Sequence, residues 1–415
     1  NIENNQITIL SPSTLEEVGI VNISNQEEVN NSLKLAQEYK EWSSLSLNKR
    51  CAIINKFRKI VLKNSELVKK TIKDETGKKD FVVFAELLSF LDHAKTMAKI
   101  AKSALKISKR KPGILFKNKK AYVQYEPMGV VGIISPWNYP LATPMKGTIE
   151  GLLSGNNIVL KPSEFTPLTM KVIKKLWDQS TEYKDAFQIV NGLGDVGSML
   201  VQSNLTDVIS FTGSTEVGLQ IAKICSSTLK PCILELGGKD PMIVLKDASI
   251  KRSVESALYA GLFNAGQTCI APDFVVLPSE LHDTFLQLCE EEIRRLYGVT
   301  SDRDLAKIVN KRHYNRLQNL TTSDTISIGP DDHEKLSLAP RLLPNTQWDS
   351  PVMQEEIFGP LLPILPCANL AQALQHLKSM PAPLALYIFS NNRGESEQIA
   401  KSLPSGSVCF NDVMK

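Results

Sequence analysis

Gly129-Val130-Val131-Gly132-Ile133-Ile134-Ser135-Pro136-Trp137-Asn138-Tyr139-Pro140 is an apolar run that ends abruptly in a polar turn flanked by aromatics. Six residues of Val, Ile and Gly with no polar interruption read as a strand buried on both faces, and such strands belong to parallel sheets. Toward the C-terminus the pattern repeats. Strands are expected at 157–160, 187–190, 208–211 and Cys232–Leu236, alternating with helices at 169–178, 196–202 and 216–225. That order implies a parallel sheet covered by helices on both faces. A second α/β unit is expected from near Gly238, with strands at 242–245 and 274–277 and helices at 250–265 and 280–296. Toward the N-terminus, residues 27–41, 48–75 and 81–108 carry helical periodicity. Pro112-Gly113 breaks it, and Ala121-Tyr122-Val123-Gln124-Tyr125-Glu126-Pro127 alternates as a strand does.

At 415 residues the chain exceeds one ordinary core. Its 42% apolar and 22% charged content reads as globular, and no window approaches the ~20 apolar residues of a membrane span. The polar Asn1-Ile2-Glu3-Asn4-Asn5 holds no signal-peptide core, so the expected location is cytoplasmic. Seven scattered cysteines without a CxxC pair exclude a zinc ribbon and point to a reducing compartment; five isolated histidines give a metal site no support. The net charge of +4 is unevenly spread, with 23 Lys/Arg against 13 Asp/Glu in residues 1–120. Residues 106–120 hold seven basic side chains and no acid. That run reads as a solvated edge, with contact to an anionic membrane surface as the alternative. No aromatics interleave as stacking platforms, which argues against nucleic acid.

Ligands of parallel sheets gather beyond the carboxyl ends of the strands, and the polar clusters of this chain fall there. Asn138 follows the first strand and reads either as an oxyanion donor or as an Asx turn before Pro140. Lys161-Pro162-Ser163-Glu164 follows the second; it suits ribose hydroxyls or is simply a surface turn capped by Ser163. Thr212-Gly213-Ser214-Thr215-Glu216-Val217-Gly218 is a strand-to-helix turn suited to a pyrophosphate, or a structural turn. Glu235 ends its own strand, 34 residues before Cys269 in Phe263-Asn264-Ala265-Gly266-Gln267-Thr268-Cys269. A thiol and a carboxylate supply a nucleophile and a base, although a free Cys is more often a small buried hydrophobe. Glu355-Glu356-Ile357-Phe358-Gly359-Pro360 sets acids and an aromatic before a Gly-Pro turn, which a helix terminus explains as well.

Together these motifs resemble the NAD(P)-dependent aldehyde dehydrogenase superfamily from about Gln26 to Asp412. Pro272-Asp273 and Pro383-Leu384-Ala385-Leu386-Tyr387-Ile388-Phe389-Ser390 are similar to its branch acting on aliphatic and aromatic aldehydes. The resemblance implies a Rossmann-like parallel-sheet NAD(P)-binding domain (1–115 and 129–236) and a second α/β catalytic domain (237–406). It also implies an oligomerisation hairpin (116–128) and the start of a C-terminal strand or tail (407–415). Family members usually continue past the point matching Lys415 into a Gly-rich segment.

By the same resemblance Cys269 is the nucleophile, Glu235 the base that activates water, and Asn138 the oxyanion donor. Trp137, Lys161, Glu164, Gly213, Ser214, Leu236, Glu356 and Phe358 are the expected cofactor-binding residues. Glu164 would repel a ribose 2′-phosphate and Lys161 would attract one, so NAD is favoured with NADP as the alternative. The absence of an Arg beside Cys269 favours neutral, apolar aldehydes. A homodimer or homotetramer is expected. The competing reading is a non-catalytic protein that keeps the fold, which would not require Cys269, Glu235 and Asn138 together.

Overall fold

Before the helical stretch expected from residue 27, the chain forms an antiparallel meander of β1 (Ile2–Glu3), β2 (Gln6–Leu10) and β3 (Glu17–Asn22). The structure is a computed structural model and describes residues 2–300 and 304–414. After the meander come α1 (Gln26–Glu38), α2 (Glu41–Ser44), α3 (Leu47–Lys63), α4 (Ser65–Thr76) and α5 (Asp80–Ala104). A capping box starts α1: Asn25 accepts the Glu28 N–H at 2.9 Å while Glu28 accepts the Asn25 N–H at 2.8 Å. The helix then buries Val29, Leu33 and Ala36, one stripe at helical spacing. The expected 48–75 segment is two helices, because Asn64 caps α3 and its side chain donates to the Ile60 carbonyl at 2.8 Å.

Next come β4 (Ser108–Arg110) and β5 (Ala121–Val123), an antiparallel pair in register Lys109↔Tyr122. The expected helix over 81–108 therefore ends at Ala104, and the strand expected over 121–127 stops at Val123. The alternating stretch follows as β6 (Val130–Ile134), α6 (Ala142–Leu153), β7 (Asn157–Lys161), α7 (Pro167–Ser180), β8 (Phe187–Ile189), α8 (Gly194–Gln202), β9 (Val208–Gly213), α9 (Thr215–Ser227) and β10 (Cys232–Leu236). The remainder is β11 (Pro241–Val244), α10 (Ile250–Leu262), β12 (Phe274–Pro278), α11 (His282–Tyr297), α12 (Lys311–Asn319), β13 (Ile326–Ser327), β14 (Arg341–Leu343), β15 (Leu361–Cys367), α13 (Leu370–Ser379), β16 (Ala385–Phe389), α14 (Arg393–Ser402) and β17 (Ser407–Phe410).

The chain divides into two compact units, residues 1–11, 16–75 and 83–235 in one, and 12–15, 76–82 and 236–415 in the other. In the first unit the sheet order is β10-β9-β6-β7-β8, with β6 parallel to both β7 and β9. Successive strands leave β6 in opposite directions, which makes its carboxyl end a topological switch point. Strand β7 is buried along its whole length and β6 along its first four residues, as expected for parallel strands covered on both faces. Trp42, Phe57, Phe90 and Trp177 pack edge to face in the core, and the Trp42 indole donates to the Leu152 carbonyl at 2.9 Å.

In the second unit the sheet order is β13-β14-β15-β12-β11-β16-β17. Every pairing from β14 to β17 is parallel, and β13 adds an antiparallel edge. Its core gathers Met242, Phe274, Phe285, Ile364 and Phe389. No helix among the described residues is long and apolar enough to cross a membrane.

Candidate active site

In the first unit the carboxyl edge of one sheet carries most of the residues singled out from sequence. Strand β6 delivers Ser135, Trp137 and Asn138; Asn138 is buried, and Trp137 is half-buried. The Ser135 N–H donates to the Lys161 carbonyl at 3.1 Å, which fixes the departure of this loop from the sheet. Lys161 ends β7, buried, with its ammonium donating to the Pro162 carbonyl at 3.2 Å and lying 3.8 Å from the Glu164 carboxylate. Burial lowers its pKa, and Glu164 opposes that effect. Gly213 ends β9, and Ser214 caps α9 by accepting the Val217 N–H at 3.4 Å. The first amides of α9 therefore lie at a helix N-terminus beside the sheet edge. Glu235 lies on the edge strand β10, on its exposed face.

The second unit carries Leu236, Cys269, Glu356 and Phe358. The helix expected over 250–265 stops at Leu262, because Asn264 (φ 53°) and Ala265 (φ 55°) enter the left-handed region, followed by Gly266 (φ 73°). Left-handed backbone costs a non-glycine residue roughly 1–2 kcal/mol. Buried Gln267 holds the turn: its Nε2 donates to the Asn264 and Lys307 carbonyls, each at 3.0 Å, and its Oε1 accepts the Val309 N–H at 3.1 Å. The Asn264 amide returns a bond to the Gln267 carbonyl at 3.2 Å. A Cβ on Gly266 would lie 2.1 Å from the Gly359 carbonyl oxygen, so that position admits only glycine in this conformation. Half-buried Cys269 follows, in a turn closed by the Ala271 N–H on the Thr268 carbonyl at 3.0 Å. The Tyr387 hydroxyl donates to the Ile270 carbonyl.

The Glu356 carboxylate rests on Gly237, where a Cβ would meet its Oε2 at 2.0 Å. Burial, then the charges of Asp273 and Asp240, push Glu356 up to about 8.

A model of the aldehyde dehydrogenase family matches residues 1–415. The chain belongs to the aldehyde dehydrogenase family. It is 32% identical over 387 residues to aldehyde dehydrogenase family 3 member A2 of Mus musculus, across 92% of this chain and 79% of the relative. It is 35% identical over 342 residues to a probable coniferyl aldehyde dehydrogenase of Pseudomonas aeruginosa, across 81% and 71%. The structure of betaine aldehyde dehydrogenase from Staphylococcus aureus in complex with NAD+ superposes with a TM-score of 0.92 at 26% identity, covering 99% of this chain and 84% of that one. The fold and family expected from sequence, with the aliphatic and aromatic branch, agree with these relatives. As a member, the protein is an NAD(P)-dependent oxidoreductase acting on aldehydes.

This aldehyde dehydrogenase holds its motif residues with side chains for which no role was expected. Buried Glu86 of α5 accepts the N–H groups of Leu141 and Ala142 at 2.8 and 3.1 Å, capping α6 just beyond Asn138. Lys239 and Asp273 form a buried ion pair; Lys239 also donates to the Val352 carbonyl, and Asp273 accepts the Ile357 N–H at 2.9 Å. Arg316 of α12 binds the Glu355 carboxylate at 3.0 Å and the Glu356 carbonyl at 3.2 Å, and also the Ile357 carbonyl. Gln267 and Asp273 lie inside quoted motifs and Lys239 lies four residues after Glu235, so all three could have been singled out as supports. Glu86 and Arg316 lie in plain helical sequence and carried no signal.

Proposed function

We propose that this aldehyde dehydrogenase oxidises neutral, apolar aliphatic or aromatic aldehydes to carboxylic acids through a thioester on Cys269. The observation that carries the reading is the locked left-handed turn at 264–266 immediately before Cys269. Strained backbone held by several bonds is characteristic of positions whose orientation serves chemistry.

The Cys269 sulfur adds to the aldehyde carbon, and the carbonyl electron pair moves to oxygen. The Asn138 amide and the Cys269 N–H donate to that oxyanion; one such donor is worth about 3–4 kcal/mol. Loss of hydride leaves a thioester on Cys269. Glu235 takes a proton from water, the hydroxide attacks the thioester carbon, and the thiolate departs from the acid.

The residues present fit a dinucleotide. Buried Ser135 Oγ has no hydrogen-bond partner, and the Lys161 ammonium stands at a strand end suited to ribose hydroxyls. Trp137, Lys161, Glu164, Gly213 and Ser214 in one unit, and Leu236, Glu356 and Phe358 in the other, would hold it. NAD is favoured over NADP because Glu164 disfavours a 2′-phosphate. When bound, the nicotinamide supplies the hydride acceptor. Residues 1–115 and 129–236 then serve as the cofactor domain, and 237–406 as the catalytic domain.

A cytoplasmic homodimer or homotetramer completes the proposal. It is supported by exposed Ile114, Leu115 and Phe116 between the strands of the β4–β5 pair, an apolar surface suited to a second copy. NADH formation with hexanal or benzaldehyde tests the chemistry. Cys269→Ala is expected to abolish it, and Glu235→Gln to allow one turnover that stalls as a thioester. Unimpaired steady-state turnover of Glu235→Gln would reject the role of the base, and no reduction with a broad aldehyde panel would favour the non-catalytic reading.

A further inference from the structure

Cys269 is held from both sides. On its N-terminal side Gln267 locks the left-handed turn; on its C-terminal side the hold comes from the hydroxyl of Tyr387. Tyr387 is the middle residue of β16, in register with Met242 of β11 on one side and Cys409 of β17 on the other. Its side chain is 1% exposed, so the sheet and its packing fix the ring. From there the hydroxyl donates to the Ile270 carbonyl, 117 residues away in sequence. Burial pushes the pKa of that hydroxyl up, and the charge of Asp240 adds to the effect, so it remains a donor well into the alkaline range.

The accepting peptide leads back to the nucleophile. The Ile270 carbonyl and the Ala271 N–H belong to one planar peptide group. That N–H donates to the Thr268 carbonyl at 3.0 Å, and the Thr268 carbonyl shares its own peptide group with the Cys269 N–H. Hydrogen bonds joined end to end through amides polarise one another, by about 10–30% per bond. We propose that Tyr387 is a positioning residue for the oxyanion, its hydroxyl orienting and polarising the Cys269 N–H through the peptide groups 270–271 and 268–269. This role rests on the reading of Cys269 as the nucleophile and of its N–H as an oxyanion donor.

Two reactions of the same sulfur separate this role from mere packing. Addition of Cys269 to an aldehyde or an ester puts negative charge on oxygen, where a polarised N–H is worth most. Alkylation by iodoacetamide displaces iodide from a saturated carbon and forms no oxyanion. A change that displaces the Cys269 sulfur slows both reactions, whereas a weakened oxyanion donor slows only the first. Removing the Tyr387 hydroxyl while keeping its ring leaves the core filled, so the loss falls on the bond to Ile270.

The test compares the full chain with its Tyr387→Phe variant in three assays: single-turnover NADH formation with benzaldehyde, cofactor-free cleavage of p-nitrophenyl acetate, and alkylation of Cys269 by iodoacetamide followed by peptide mass mapping. Tyr387→Phe is expected to slow the first two about tenfold, less than the roughly 10²–10³ lost with an oxyanion donor itself. Alkylation is expected to stay within about twofold of wild type. Placing 3-fluorotyrosine at position 387, which keeps the ring and makes the hydroxyl a stronger donor, is expected to restore both oxyanion-forming reactions, and it tests the role even where the Phe variant folds poorly. Oxidation and ester cleavage by Tyr387→Phe within about twofold of wild type overturn the role. So does alkylation slowed as much as turnover, or a fluorotyrosine protein no faster than the Phe variant. A Cys269→Ala protein that still forms NADH would instead remove the reading of the nucleophile, whatever Tyr387→Phe does.

Discussion

Replacing Glu86 by Ala is expected to weaken both the fold and the chemistry. The two amides that Glu86 accepts are those of the residue before α6 and of its first residue, where the helix offers no acceptor of its own. Leu141, the residue before the helix, supplies no side-chain oxygen and is fully buried. Each stranded buried amide costs about 1–3 kcal/mol, and water entering the vacated space recovers part of it, leaving a net loss of about 3 kcal/mol. For a unit of about 200 residues that lowers the unfolding midpoint by about 6–12 °C. Glu86→Gln keeps the accepting oxygen and loses only the charge, an effect of about 1 kcal/mol, or about 2–4 °C. Catalysis is expected to respond as well, since Leu141 lies three residues after Asn138, the proposed oxyanion donor; a 1 Å shift of a positioned group costs on the order of 100-fold. Thermal unfolding and kcat with hexanal, measured on wild type and both variants, check the two effects together. A Glu86→Ala protein with a midpoint within about 1 °C of wild type and kcat within about twofold would refute the capping argument.

Gly237→Ala and Gly266→Ala are expected to differ in kind. The first pushes aside a flexible carboxylate, so cofactor affinity falls about tenfold while the midpoint barely moves; the second meets backbone at a left-handed position, so the midpoint falls by several degrees. Parallel unfolding and NAD titrations separate them. Asp273→Asn keeps an acceptor for Ile357 but leaves buried Lys239 without its counter-charge, a loss of about 3–5 kcal/mol readable in urea unfolding. For Glu356, the folded protein holds a proton up to about pH 8 that the unfolded chain releases near the usual carboxylate value. Its contribution to stability is therefore present in acid and lost as pH rises through about 8, and Glu356→Gln is expected to flatten that part of the stability–pH curve. If its carboxylate accepts from a ribose hydroxyl, wild-type cofactor affinity is expected to rise over the same interval and the variant's to stay level.

The alternating α/β core was legible because buried parallel strands must be continuous apolar, β-branched runs, and β6 and β7 follow that pattern. Boundaries failed where backbone conformation, not side-chain period, made the decision. The apolar spacing of Leu62 and Leu67 continues across Asn64, yet both are exposed there, and the Asn64 side chain ends the helix. The run from Leu258 through Ala265 likewise continues as a helix on paper. Gln267, tied to Lys307 and Val309 far along the chain, draws Asn264 and Ala265 out of the helical region instead. The N-terminal meander escaped notice because β2 has only five residues and buries just Ile7 and Ile9.

Among the site residues, legibility follows the kind of partner each one needs. A nucleophile, a base and an oxyanion donor draw on few residue types, so Cys269, Glu235 and Asn138, the residues proposed for these roles, stand out in their motifs. Their supports act on backbone. Glu86 accepts amides 55 and 56 residues away, and Arg316 binds carbonyls 40 and 41 residues away. A backbone N–H or C=O is the same in every residue, so such a partnership leaves no mark at its receiving end. The Lys239–Asp273 pair is intermediate: both ends are side chains, but 34 positions separate them, and only the fold brings the charges together. This asymmetry predicts where substitutions act unexpectedly. Changes at Glu86, Gln267 and Arg316 should alter turnover although none of them is a motif acid, base or nucleophile, because each fixes the backbone from which such a group projects.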